Sequence, residues 1–205
     1  MSKQKIVIVD ADFGNIDSVE NAIKHLGYNF QSLKKVSNLD KYSHLILPGV
    51  GSFNTASKKL QLSGWFDAIK KFASQSKPIL GICLGMQLLF ETSDENGLSQ
   101  GLSFFKGHCK KFNSQNKLPL PHMGFNFVKH DNSKIWKDIP NPSPFYFIHN
   151  YRVKESDELA IASITTYGDQ FISFIEKEKI FGAQFHPEKS HRIGLKLLKN
   201  FIELR

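Results

Sequence analysis

The chain has 205 residues, 40% hydrophobic and 22% charged, the make-up of one globular domain, and no apolar run approaches the ~20 residues of a membrane span. A formal net charge of +8 raises nucleic acid as a partner, but the lysines lie in scattered pairs (Lys34-Lys35, Lys58-Lys59, Lys70-Lys71, Lys110-Lys111) outside any nucleic-acid-binding motif. Two cysteines in unlike settings, Cys83 and Cys109, and the lack of a signal-peptide pattern at MSKQKIVIVDAD predict a cytoplasmic protein without disulfides, with neither nucleic acid nor membrane as partner.

Ile6 to Val9 are four successive apolar residues bounded by charge, the pattern of a buried strand. Ile16, Val19, Ile23 and Leu26 then recur at helical spacing, with Gly27 as the stop. NFQSL is a weak second strand, and SHLILPGVGSF reads as a strand running into a glycine-rich loop. A helical region continues to about Phe72, interrupted near Ser63-Gly64, and is followed by a short strand, KPILGI, and a helix, LGMQLLFET. This alternation implies a parallel sheet covered on both faces. From about Gly97 the segments LSFFKGHCKKF, LPHMGFNFVKH, FYFIHNYRVK, ELAIASITTYG, FISFIEKE and IFGAQFH are strand-like and closely spaced, which predicts antiparallel additions at the sheet edge. Ser190 to Arg205 closes the chain as an amphipathic helix with Leu195, Leu198, Phe201 and Ile202 on one side. No linker divides the chain, so a single α/β domain over 1–205 is expected.

Three stretches carry chemistry. Gly81-Ile82-Cys83-Leu84-Gly85 has the form G-x-C-x-G between a strand and a helix, a sulfur version of the nucleophile elbow. Side chains next to so sharp a turn would clash, and the turn displays the thiol at the carboxyl edge of the sheet and at a helix N-terminus. The bland alternative is a buried core cysteine, with glycines serving helix–strand packing. A nucleophile needs a base and the base an orienting group. His186 ends the apolar stretch Ile180 to Phe185, with Glu188 two residues on, where an extended backbone points both side chains the same way. Against this stands an ordinary His-Pro turn with a surface glutamate. In Pro48-Gly49-Val50-Gly51-Ser52 the glycines can turn backbone N–H groups toward an oxyanion, together with the N–H of Leu84. A loop with two positive-φ positions explains that stretch equally well. The histidines are dispersed without ligand spacing, so no metal and no cofactor is expected.

Together the three stretches resemble the class I, triad-type glutamine amidotransferases. LPHMGFN, FYFIHNYRV and FGAQFHPEKS narrow the likeness to the glutaminase subunits of imidazole glycerol phosphate synthase. The resemblance covers nearly the whole chain, in order, and implies a flavodoxin-like α/β fold. It implies that Cys83 is the nucleophile that forms a γ-glutamyl thioester, His186 its base and Glu188 the orienter. Gln87 matches a position that holds substrate glutamine, and Gly49, Val50, Gly51 and Leu84 match the oxyanion donors. The partner it implies is a (β/α)8-barrel cyclase subunit, which uses the ammonia to make imidazole glycerol phosphate and AICAR. Asn15, His122, Met123, Gly124, Phe125, Asn126, Tyr146, His149 and Tyr151 fall in segments facing that partner or lining the ammonia exit. Phe125 stands where relatives commonly have tryptophan. A glutaminase serving another acceptor, such as a nucleotide sugar, is the alternative; a non-catalytic scaffold and a cysteine peptidase are further ones.

Overall fold

The computed structural model describes residues 5–12, 14, 16–113, 118–130, 133–156 and 159–204. A seven-stranded sheet forms the centre. Its strands are β1 (Lys5–Val9), β2 (Asn29–Leu33), β3 (His44–Leu47), β4 (Ile79–Ile82), β11 (Ile161–Tyr167), β12 (Asp169–Lys177) and β13 (Ile180–Ala183). They lie in the order β11-β12-β13-β4-β3-β1-β2, with β13 through β2 parallel and β11 and β12 added antiparallel at one edge. The expected flavodoxin-like layering is present. Strand periodicity explains the two cores: Ile6, Ile8 and Ile46 face α1 (Asp17–His25) and α5 (His191–Ile202). Val7, Val9, Leu45 and Leu47 face α2 (Phe53–Leu62), α3 (Trp65–Ser74) and α4 (Leu84–Leu88).

Two expectations need correction. The helix after the elbow is α4 alone, five residues, because Phe90–Ser93 leaves as a strand, β5, and pairs with β6 (Ser99–Gln100) and β7 (Phe105–Lys111). An apolar run cannot distinguish these outcomes; the pairing of Phe90 with Phe105 decides it. Nor do all the later strands extend the main sheet. Strands β5, β6, β7 and β10 (Tyr151–Arg152) make a separate four-stranded sheet, and β8 (His122–Val128) with β9 (Ser143–His149) a hairpin of its own. Both small sheets lie beyond the carboxyl end of β4 and β13, where they wall a cavity. No helix of the described residues is long and apolar enough to cross a membrane.

Candidate active site

Cys83 follows β4 directly, with φ 54° and ψ −108°, a conformation disfavoured for a residue with a side chain. The surroundings enforce it. Its N–H donates to the Ala183 carbonyl at 2.7 Å, and α4 presses onto the sheet so closely that a Cβ on Gly85 would lie 1.7 Å from the Leu47 carbonyl oxygen. A Cβ on Gly81 would lie 2.6 Å from the Gly85 carbonyl oxygen. The bracketing glycines are thus required by backbone meeting backbone. With only five residues, α4 supplies little of the dipole expected at the thiol. The sulfur has polar contacts with β9 and with a side chain: it donates toward the Ile148 carbonyl and accepts from Gln184 Nε2, both at 3.8 Å.

The base arrives by a different local route than the sequence predicts. Strand β13 ends at Ala183, before Gln184, and His186 is held by a bridge to β9, its N–H donating to the Tyr146 carbonyl at 2.8 Å. Pro187–Lys189 then forms a 3-10 turn, so Glu188 reaches the imidazole around a turn rather than along an extended strand. Nδ1 of His186 lies 2.7 Å from Glu188 Oε1, both side chains buried. A carboxylate accepts, so Nδ1 carries the hydrogen and Nε2 is the ring nitrogen left to act on the Cys83 sulfur. Burial opposes a charge on this ring, but the attraction of the Cys83 sulfur and of Glu188 outweighs it. The His186 pKa is pushed up to about 10.

A cavity of about 470 Å³ opens over the thiol, walled by Val50, Gly51, Leu84, Gln87, Ile148 and His149, with Glu95 and Tyr151. On its loop side the structure departs from the oxyanion expectation: the Leu84 N–H donates to the Gly49 carbonyl at 3.3 Å and is occupied. Gly51 has φ 100°, and Val50 is exposed. The Gln87 amide is also engaged. Its Nε2 donates to the Tyr151 carbonyl at 3.1 Å and to Gln184 Oε1 at 3.0 Å, which leaves only its oxygen for a ligand. Glu95 was missed from the sequence. It lies in the turn after β5, accepts from the Phe53 N–H at 2.7 Å, and burial holds its carboxyl above the usual range. Nothing in the spacing of SDENG links it to Cys83; the only signal is an acid beside a turn.

In the β8–β9 hairpin, residues one apart face opposite sides. Met123, Phe125 and Phe127 are exposed to 62%, 51% and 59%, while His122 and His149, directly opposite one another, are buried. The buried pair is wired in one direction. Asn126 Nδ2 donates to His122 Nε2, His122 Nδ1 to His149 Nε2 at 3.0 Å, and His149 Nδ1 to the Tyr151 carbonyl at 2.7 Å. Burial lowers the His122 pKa to about 4 and the His149 pKa to about 3, so both rings are neutral. Phe125 stacks on His191 with centroids 5.2 Å apart, and the Lys189 amine lies 6.0 Å from the Tyr146 ring centre. Gly124 takes φ 121° within β8. Asn15 lies outside the described residues; its neighbour Gly14 sits against Gly49.

A thiol on a strained elbow, a buried His–Glu pair acted on by that thiol and a cavity over the thiol, all at the carboxyl edge of a parallel sheet, define an α/β enzyme of the cysteine-dependent type. The chain belongs to the class-I glutamine amidotransferase family, which matches it over residues 7–204. Among similar proteins, imidazole glycerol phosphate synthase subunit HisH 1 of Campylobacter jejuni is 43% identical over 203 residues, covering 97% of this chain and 100% of that one. Subunit HisH 2 of Methanococcus maripaludis is 42% identical over 200 residues, with 97% and 98% covered. Among solved structures, a glutamine amidotransferase matches with a TM-score of 0.75 at 20% identity over 96% of this chain and 97% of that one, a likeness of fold.

Proposed function

We propose that this chain is the glutaminase subunit of an imidazole glycerol phosphate synthase, releasing ammonia from glutamine for a (β/α)8-barrel cyclase subunit in histidine biosynthesis. The observation that carries the reading is that Cys83 on its elbow shares one cavity with Gln87 and Glu95, while its sulfur raises the pKa of the Glu188-bound His186. Full-length relatives at 42–43% identity bear the name of that synthase subunit, which favours the histidine route over amination of a nucleotide sugar.

The residues divide the work. Glu95 is the acid of the cavity wall, suited to the α-ammonium of glutamine, and the free oxygen of Gln87 accepts an N–H from the substrate. The Cys83 thiolate adds to the carboxamide carbon, and as the resulting oxyanion collapses the carbon–nitrogen bond breaks and the NH₂ group takes the His186 proton, leaving as ammonia. Water then adds to the thioester, His186 accepts its proton, and the thiolate leaves glutamate behind. The oxyanion requires a donor, and the Leu84 N–H is engaged with Gly49. The free chain is therefore expected to be nearly idle. The apolar hairpin face of Met123, Phe125 and Phe127 suits the cyclase, whose docking would free the donor.

A glutaminase assay with and without the barrel cyclase tests this. Turnover is expected to rise by about 10² or more on adding the cyclase, the size of one oxyanion donor. Cys83→Ala should lose about 10⁴ or more. Full activity of the free chain, or surviving activity in Cys83→Ala, contradicts the reading.

A further inference from the structure

Gln184 is a fully buried carboxamide in the otherwise apolar stretch FGAQFH, between the end of β13 and His186. A buried amide is stable there only if its donor and its acceptor both find partners. Its Oε1 accepts from Gln87 Nε2 at 3.0 Å, and its Nε2 donates to the Cys83 sulfur at 3.8 Å. The order of these atoms is imposed from outside the pair. The Tyr151 carbonyl can only accept, and it takes a hydrogen from Gln87 Nε2 and another from His149 Nδ1. That fixes which end of Gln87 is the NH₂ group. The second hydrogen of that group fixes which end of Gln184 is the oxygen, and the end left facing Cys83 is a donor.

We propose that Gln184 is a further catalytic residue of this site, an N–H donor that stabilises the Cys83 thiolate before glutamine binds and again when the thioester is cleaved. The inference rests on the glutaminase reading and adds a role to it. As a thiol, Cys83 has an acceptor in the Ile148 carbonyl and a donor in Gln184. Once the proton is lost, the carbonyl has nothing to accept, while the N–H contact becomes charge-assisted and stronger. In thioester hydrolysis the carbon–sulfur bond breaks and its electron pair returns to sulfur, within reach of the same N–H. A better stabilised thiolate leaves faster. Gln87, which sets the polarity of Gln184, acts in this respect as a positioning residue.

The experiment measures alkylation of Cys83 by iodoacetamide on the free full-length chain, read by peptide mass so that Cys109 is not counted, beside glutaminase turnover with the cyclase. Gln184→Met keeps the bulk and removes the donor. Gln184→Glu keeps the shape but, ionised, offers only acceptors. Both are expected to slow alkylation at pH 7 by about tenfold or more, the scale of one hydrogen bond to a charged group. Turnover should fall at least as far, with the melting temperature within a few degrees of wild type. A space-filling role predicts that Gln184→Glu behaves as wild type, so alkylation within about twofold in that folded variant overturns the proposal even if Gln184→Met does not fold. Slowed alkylation in a chain that turns over no glutamine with its cyclase upholds the donor and removes the glutaminase reading instead.

Discussion

On the thiol side of the cavity, Cys83, His186 and Glu188 are buried, and their backbone is tied into β4, β9 and β13. On the opposite side, the Gly49–Gly51 loop carries an exposed valine, and the N–H that an oxyanion requires is bonded to Gly49 instead. Both sides adjoin neighbouring parallel strands, so sheet position alone does not explain the contrast. The difference arises where each strand ends. Cys83 enters a helix pressed into the core, whereas Gly49 enters a surface loop whose glycines permit more than one backbone state. Groups that must keep one geometry are fixed by packing, and the group that must change state is left on the loop.

The sharpest way to break the packed side is Gly85→Ala. Its Cβ would fall 1.7 Å from a main-chain oxygen that belongs to β3 and has no room to retreat. A loss of about 4 kcal/mol or more is expected, seen by urea unfolding or as failure to yield folded protein. Near-native stability would show that α4 stands off the sheet.

Acid should loosen the hairpin wall of the cavity. His122 and His149 have folded pKa values of about 4 and 3, below the ordinary 6.5, so the unfolded chain binds protons that the folded one refuses. Their contribution is complete above pH 6.5 and is lost as pH falls toward 4. Between pH 6.5 and 5 each should remove about 1–2 kcal/mol. Hydrogen exchange across β8 and β9, followed with the melting temperature, measures this; flat stability over that interval would mean the rings are charged or solvated.

The smallest effect on stability belongs to the loop. At Gly51, φ is 100° and no atom of the described residues lies within 4 Å of an added Cβ, so Gly51→Ala is expected to meet chiefly backbone strain, about 1 kcal/mol. Glutaminase activity with the cyclase should nevertheless fall, because the loop has lost conformations. Unchanged kcat would separate this loop from oxyanion binding.

Much of this site is legible in the sequence where chemistry and packing coincide. GICLG is readable because a thiol on a tight strand-to-helix turn needs glycine two residues to either side, and the structure shows both close approaches. His186 and Glu188 are readable as a pair, although the 3-10 turn that joins them is not, since HPE fits either geometry. Glu95 and Gln184 were not legible because their partners are distant: Glu95 meets Phe53, and Gln184 meets Cys83 and Gln87. The occupied Leu84 N–H was also invisible, since PGVG specifies a flexible loop without saying which way a carbonyl points. Of the expected edge strands, β11 and β12 do join the main sheet, whereas β7, β8 and β9 stand in separate small sheets because β7 pairs with β5 and β8 with β9.

The neutral state of His149 bears on the chemical form of the product. Ammonia in water near neutral pH is mostly ammonium, a cation with no lone pair to offer an electrophile. His149 lines the cavity and, with a pKa of about 3, has no acidic proton to give there; His122 behind it has none either. The other residue that β9 gives to the cavity wall, Ile148, is apolar, and the main-chain carbonyls there are not acids. On the β9 side, the ammonia that the proposed reaction releases thus meets a wall that leaves its lone pair intact, ready for the acceptor that consumes it.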